Sequence, residues 1–230
     1  DDNAGLFILA DGMGGHACGQ HASARAIEAM VDYMNRWRHE DGFAWPFDPV
    51  PKRSMMENHV ATALRVANVR VYNEAQRIEE LGGMGTTAVI VQTDGNSVVI
   101  GHVGDSRCYA MQDDQLRQIT EDHSLVNQLI RAFDLSEEEA TAKAGKNVLV
   151  QSIGTDDDIV PQVCTLETNT ITTLLLCSDG LTDMVPDESI KTILKANESD
   201  LSKASESLIN QANLAGGNDN ISVILMQFET

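Results

Sequence analysis

The 230-residue sequence has few basic residues and lacks the features that mark several classes of protein. It holds 16 Lys and Arg against 35 Asp and Glu, a formal net charge of −19. Such a surface repels nucleic acid and anionic membranes, and it attracts cations and basic peptide segments. No apolar run approaches the roughly 20 residues of a membrane span, and no signal peptide is visible. We therefore expect a cytoplasmic monomer that binds neither nucleic acid nor membrane.

Cysteine pairs are also absent. The four cysteines form no CxxC motif, and three of them lie in apolar runs, so we expect reduced, mostly buried thiols. The length and the 42% of hydrophobic residues are sufficient for one substantial core. We predict a single domain over residues 1–230.

The feature that organises the sequence is an aspartate at the end of an apolar run. Residues 5–16 read GLFILADGMGGH, and residues 6–10 predict a strand buried on both faces that ends in Asp11-Gly12. A carboxylate in this position is costly unless a cation or hydrogen-bond donors compensate it. A single Asp-Gly pair could be no more than a turn.

Three further aspartates repeat this arrangement. Asp179 ends the apolar run LLLCS, Asp105 follows residues 98–103, and Asp219 precedes residues 221–226. Hard divalent cations bind several oxygen ligands carried by rigid, separate backbone segments. The repeated pattern favours a site for such cations over four unrelated turns.

The rest of the sequence predicts segregated helices and strands. Helical periodicity covers residues 20–37, 56–81, 187–196 and 201–215, and two short helices with Ser136 as an N-cap lie within 125–143. Strands are predicted at 86–92, 97–103, 107–111, 115–119, 162–167, 172–178 and 221–228. This order favours an α+β fold with two antiparallel sheets face to face and helices outside.

Seven motifs together resemble the bacterial type 2C serine/threonine protein phosphatases. They are DGMGGH at 11–16, GTTAV at 85–89, GDSR at 104–107, DHS at 122–124, KNVL at 146–149, SDGLTD at 178–183 and NDNIS at 218–222. The resemblance extends over the whole chain. It implies a four-layer αββα sandwich with a pair of Mg²⁺ or Mn²⁺ ions in a cleft at one end of the sheets.

The resemblance also implies roles for individual residues. Asp11 would bridge the two metals, and the carbonyl of Gly12 would join one of them. Asp179 and Asp219 would bind the other metal and, with Asp11, form the catalytic set. Asp105, with Asp179, would hold a third, weaker ion. Residues 125–161 correspond to the family's flap beside the site.

The implied activity is hydrolysis of phosphoserine and phosphothreonine in proteins modified by a cognate kinase. Two cations held by shared carboxylates polarise a water and lower its pKa, so that it can attack phosphorus directly. For the general acid, a metal-bound water and His16 both remain open. An aspartyl-phosphate mechanism with Asp11 as nucleophile is disfavoured, because Met13 stands where that class places a second Asp.

The sequence departs from the family at its beginning. It lacks the strand that carries a phosphate-gripping Arg and an Asn-Glu-Asp run; Asp1-Asp2 matches the acidic turn after that strand. A catalytically weak or inactive phosphatase-fold binding module is therefore the alternative hypothesis.

Overall fold

A computed structural model describes residues 5–145 and 148–228, apart from the side chain of His16. Asp1-Asp2 and the first two residues of the KNVL motif lie outside the described residues. In the described ranges, no helix is both long enough and apolar enough to span a membrane.

The described strands and helices follow the predicted order closely. The strands are β1 (Leu6–Leu9), β2 (Gly12–Met13), β3 (Gly85–Thr86), β4 (Ala88–Asp94), β5 (Ser97–Val103), β6 (Arg107–Gln112), β7 (Gln115–Gln118), β8 (Gln162–Glu167), β9 (Thr173–Cys177) and β10 (Val223–Gln227). The α-helices are α1 (His16–His39), α2 (Met55–Arg77), α3 (Leu125–Phe133), α4 (Glu137–Ala144), α5 (Asp179–Thr182), α6 (Asp187–Ala196) and α7 (Leu201–Leu214). Short 3₁₀ turns occupy Glu79–Leu81 and Thr168–Thr170.

The strands form two antiparallel four-stranded sheets. Sheet I has the order β1-β4-β5-β8, and sheet II has the order β10-β9-β6-β7. The short strands β2 and β3 pair with each other beside them. In the hairpin between β6 and β7, Asp113 and Asp114 both have positive φ, as a tight two-residue turn that matches the strand twist requires.

Three hydrophobic clusters separate four layers. Residues of α1 and α2, such as Met30 and Leu64, pack against sheet I. Ile100 and Leu174 belong to the cluster between the two sheets. Leu208 of α7 packs with the outer face of sheet II. The αββα sandwich is confirmed.

A local sequence signal accounts for the start of α4, which lies within residues 125–143. The Ser136 side chain accepts a hydrogen bond from the Glu139 backbone N–H, and the Glu139 carboxylate accepts from the Ser136 N–H. This reciprocal cap satisfies donors that a helix start leaves free. The two short helices of this segment are confirmed as α3 and α4.

The predictions differ from the structure at three places. The strand predicted at residues 6–10 is not buried on both faces: β1 is an edge strand of sheet I, and Phe7 and Ile8 are only partly buried. Helix α1 begins at His16 rather than at residue 20. The short helix α5, which begins at Asp179, is absent from the prediction.

Candidate active site

The strand order places the four predicted aspartates at one end of the sandwich. In sheet I, β1 and β5 both run antiparallel to β4, so their C-terminal ends lie at the same edge, and Asp11 and Asp105 follow those ends. In sheet II, β9 and β10 are antiparallel neighbours. The C-terminal end of β9, which Asp179 follows, therefore lies beside the N-terminal end of β10, which Asp219 precedes.

All five predicted site residues line one cavity of about 200 Å³. Its lining consists of Asp11, Gly12, Met13, Thr87, Asp105, Leu149, Asp179, Asp219 and Asn220. The aspartates thus come together from four separate chain segments. Their grouping in one cavity is the arrangement that the repeated strand-aspartate pattern predicts.

Crowding of these carboxylates changes their acidity. Burial, followed by repulsion from Asp179 and Asp219, raises the pKa of Asp11 to about 7. Burial and repulsion from Asp179 likewise raise the pKa of Asp105 to about 7. The pKa of Asp179 is also raised, by burial and by Asp183. A bound cation would reverse these shifts, because it favours the ionised carboxylates.

The oxygen atoms of the cavity suit a hard cation. Oδ1 of Asp179 is buried and has no hydrogen-bond partner, a costly arrangement that a cation would relieve. Carboxylates and a backbone carbonyl are also the ligands that Mg²⁺ and Mn²⁺ prefer. Within the described residues, however, no three His, Cys, Asp or Glu side chains already stand in positions that could hold a metal ion. The carboxylates that share the cavity therefore do not yet form a complete ligand set.

A second cavity of about 350 Å³ shares Asp105 and Asp179 with the first. Its other walls come from α3 and α4, through Val126, Asn127, Glu137 and Thr141, and from the α5 region, through Thr182 and Asp183. Residues of the 125–161 segment therefore line a cavity beside the aspartates. Leu149, from the same segment, lines the first cavity.

Arg107 is the only cationic side chain among the described residues that line the second cavity. Its guanidinium donates to both carboxylate oxygens of Asp122, from Nε at 2.9 Å and Nη2 at 2.7 Å, and Nη1 donates to the Tyr109 hydroxyl at 3.0 Å. Burial opposes the charge of Arg107, but the bonds to Asp122 hold its pKa above the usual value. This bidentate pair neutralises Arg107 and ties β6 to the DHS segment.

Only a glycine fits at position 12, because β2 lies directly against the start of α1. A Cβ at Gly12 would lie 1.9 Å from the carbonyl oxygen of Gly19. No side chain fits there without a shift of one of the two backbones. Gly12 also lines the cavity.

We expect Gly12→Ala to lower the free energy of unfolding by about 3 kcal/mol or more, because the added methyl group overpacks a backbone contact. Gly42→Ala is the control: its Cβ would meet no atom within 4 Å, so only the left-handed backbone costs about 1 kcal/mol. Urea unfolding of both variants measures the difference. Equal losses would contradict the close approach of β2 and α1.

Sequence reasoning missed several residues that shape the site. The Arg107–Asp122 pair lies within the GDSR and DHS motifs, but no spacing rule shows that these two residues meet. Thr87 and Ser106, which bond to each other, were also missed. The sequence signal that could have identified them is a hydroxyl residue within each of the two motifs GTTAV and GDSR. The side chain of His16, a candidate general acid, lies outside the described residues.

Known proteins resemble this chain in both sequence and fold. The profile described as Protein phosphatase 2C matches residues 1–217. Serine/threonine phosphatase stp of Listeria welshimeri is 38% identical over 226 residues, which are 98% of this chain and 85% of the relative. Serine/threonine phosphatase Stp1 from Staphylococcus aureus has a similar crystal structure, with a TM-score of 0.83 and 34% identity over 98% of this chain and 84% of that chain.

A third relative was crystallised with metal. The catalytic domain of serine threonine protein phosphatase PstP, in complex with two manganese ions, matches with a TM-score of 0.76 and 31% identity, over 96% of this chain and 86% of that chain. The profile match, the relatives and the αββα fold with its cluster of strand-end aspartates agree, and the chain belongs to the bacterial protein phosphatase 2C family.

Proposed function

We propose that this protein phosphatase hydrolyses phosphoserine and phosphothreonine in proteins, with Mg²⁺ or Mn²⁺ bound by the strand-end aspartates. In this proposal Asp11 bridges two ions, the Gly12 carbonyl contributes to one of them, and Asp179 and Asp219 hold the other. Asp105, with Asp179, holds a third, weaker ion. The bound ions supply Lewis acidity and a water of lowered pKa.

The main support for this proposal is the grouping of carboxylates in one cavity. Four aspartates from separate segments line a single cavity at the end of the sandwich, and burial with mutual repulsion raises the pKa of Asp11 and Asp105 to about 7. Carboxylates that repel one another in this way mark a functional site, and a bound cation would stabilise their ionised forms. The manganese complex of the relative PstP supports the same use.

The remaining parts of the proposal concern the substrate and the chain. Residues 1–230 form one phosphatase domain, and residues 125–161 act as a flap whose helices line the second cavity. That cavity would receive the segment of the phosphoprotein beside the phosphate. The substrates are proteins phosphorylated by a cognate kinase, and the enzyme acts as a cytoplasmic monomer.

A covalent route through Asp11 fits the site less well. In the proposed site Asp11 shares its negative charge with two cations, which lowers its nucleophilicity toward phosphorus. Met13 also occupies the position where an aspartyl-phosphate enzyme places its second Asp. Beryllofluoride, which mimics an aspartyl phosphate, should therefore fail to form a stable adduct at Asp11.

Hydrolysis of p-nitrophenyl phosphate and of a phosphothreonine peptide tests the proposed activity. We expect both reactions to require Mn²⁺ and to stop when EDTA is added. A chain that binds the phosphothreonine peptide but hydrolyses neither substrate at saturating Mn²⁺ would support the alternative, an inactive binding module. Undiminished hydrolysis in EDTA would contradict the metal dependence.

A further inference from the structure

Two buried hydroxyl groups lie between the segments that carry Asp11 and Asp105. They belong to Thr87, which is 3% exposed, and to Ser106, which is 1% exposed. Thr87 precedes β4 of sheet I, and Ser106 precedes β6 of sheet II. The pair therefore connects the two sheets next to the cavity.

Thr87 holds the backbone of Asp11 from two sides. The N–H of Asp11 donates to Oγ1 of Thr87 at 3.1 Å, and the N–H of Thr87 donates to the carbonyl oxygen of Asp11 at 2.8 Å. A side-chain oxygen thus receives the N–H that a regular strand would pair with a backbone carbonyl. The position of Asp11 depends on where this hydroxyl lies.

The loop that carries Asp105 packs against Thr87 and bonds to its side chain. Oγ1 of Thr87 and Oγ of Ser106 are 2.7 Å apart and share a hydrogen bond. Gly104 has φ +105°, and a Cβ on it would lie 2.7 Å from Cβ of Thr87. On its other side the Gly104 N–H donates to Nδ1 of His123 at 3.2 Å. The loop is held between Thr87 and His123.

We infer that Thr87 and Ser106 are positioning residues whose hydroxyl bridge fixes Asp11 relative to Asp105 and so sets the affinity of the cavity for divalent cations. This inference rests on the proposed metal site. The spacing of the backbones that carry Asp11 and Asp105 limits where their carboxylates can place ions in the shared cavity. Groups that orient metal ligands in this way typically change metal affinity by about 10–100-fold when removed.

Calorimetric titration of Mn²⁺ into four variants tests the bridge. Thr87→Val keeps the side-chain shape but removes the hydroxyl, and we expect it to weaken Mn²⁺ binding at least about tenfold. Ser106→Ala, which removes only the second half of the bridge, should weaken it by a smaller factor. Thr87→Ser keeps the hydroxyl and should restore affinity to within about threefold of the unsubstituted chain.

Thr120→Val is the matched control. The Thr120 hydroxyl is buried and accepts from the Cys108 N–H at 2.9 Å, and the Thr120 N–H faces the Cys108 carbonyl. Its loss should lower the unfolding temperature about as much as Thr87→Val does but leave Mn²⁺ affinity unchanged. A hydroxyl with a purely structural role at Thr87 would give the same result as this control.

The outcomes separate the two proposals. Mn²⁺ affinity in Thr87→Val equal to that of the unsubstituted chain would overturn the positioning role alone. No Mn²⁺ binding by the unsubstituted chain would overturn the proposed metal site, and the positioning role with it. If Thr87→Val does not fold, Ser106→Ala decides: unchanged affinity in that variant contradicts the bridge, and weakened affinity supports it.

Discussion

Asp179→Asn is expected to reduce turnover at saturating Mn²⁺ to less than about a tenth of that of the unsubstituted chain, because an amide is a much weaker ligand than a carboxylate for a hard cation. Asp179, like Asp11, is assigned to two ions, and its Oδ1 is buried without a hydrogen-bond partner. The fold should survive, since the substitution changes neither size nor shape and removes repulsion among the carboxylates.

Asp94→Asn is the matched control for this variant. Asp94 also ends a strand and also precedes a glycine, Gly95, but it lies at the opposite end of β4 from the cavity and is exposed. Its turnover should equal that of the unsubstituted chain. If Asp179→Asn keeps more than about a tenth of the turnover while unfolding cooperatively, its assignment as a metal ligand is wrong.

Millimolar Mn²⁺ is expected to raise the unfolding temperature, and to raise it more at pH 8 than at pH 5.5. A ligand that binds only the folded state stabilises it by about 2.7 kcal/mol at about 100 times its Kd, which corresponds to several degrees for a chain of this size. The effect should vanish in EDTA.

The pH dependence follows from the raised pKa of Asp11 and Asp105. Each rises from 3.8 to about 7, so between these values the folded chain binds more protons than the unfolded chain. Without metal, this contribution to stability is present at low pH and is lost as the pH rises through about 7. Metal needs the same carboxylates deprotonated, so stabilisation by Mn²⁺ grows over that range.

Thermal unfolding at pH 5.5 and pH 8, with Mn²⁺ or with EDTA, measures how pH changes the stability of the metal-free chain and its stabilisation by Mn²⁺. In EDTA, these carboxylates contribute a fall in stability between the two pH values; with Mn²⁺ that fall should shrink or reverse. A shift by Mn²⁺ that is as large at pH 5.5 as at pH 8 would contradict binding through Asp11 and Asp105.

The positions of these aspartates were predictable from the sequence because strand ends are local features. An apolar run fixes where a strand stops, and the residue after it must lie at the edge of a sheet. The sequence therefore identifies Asp11, Asp105 and Asp179 as edge residues without any knowledge of strand order. Their meeting in one cavity depends on that order, which the resemblance supplied.

The features that the sequence missed depend on contacts between distant segments. Helix α5 begins at Asp179, directly after a strand, and its Leu181 is fully buried against sheet II. The apolar periodicity is too short there to separate a helical turn from a loop. The edge position of β1 likewise depends on which strands pair, because Phe7 and Ile8 are as apolar as central-strand residues.

Hydrogen bonds between side chains were the least predictable part. Arg107 and Asp122 are separated by 15 residues and meet across the β6–β7 hairpin. Thr87 and Ser106 are separated by 19 residues, and they meet because sheet I packs against sheet II at this end. Neither pair has a signature in spacing or composition, although all four residues lie in or directly beside the motifs that carry the family resemblance.

Anomalous diffraction from crystals of this chain grown with Mn²⁺ tests the metal site most directly. The proposed metal site predicts anomalous peaks in the cavity lined by Asp11, Gly12, Asp179 and Asp219, with carboxylate oxygens at about 2.0–2.6 Å from each ion. Peaks that lie only elsewhere on the acidic surface, with this cavity free of manganese at saturating concentration, would contradict it.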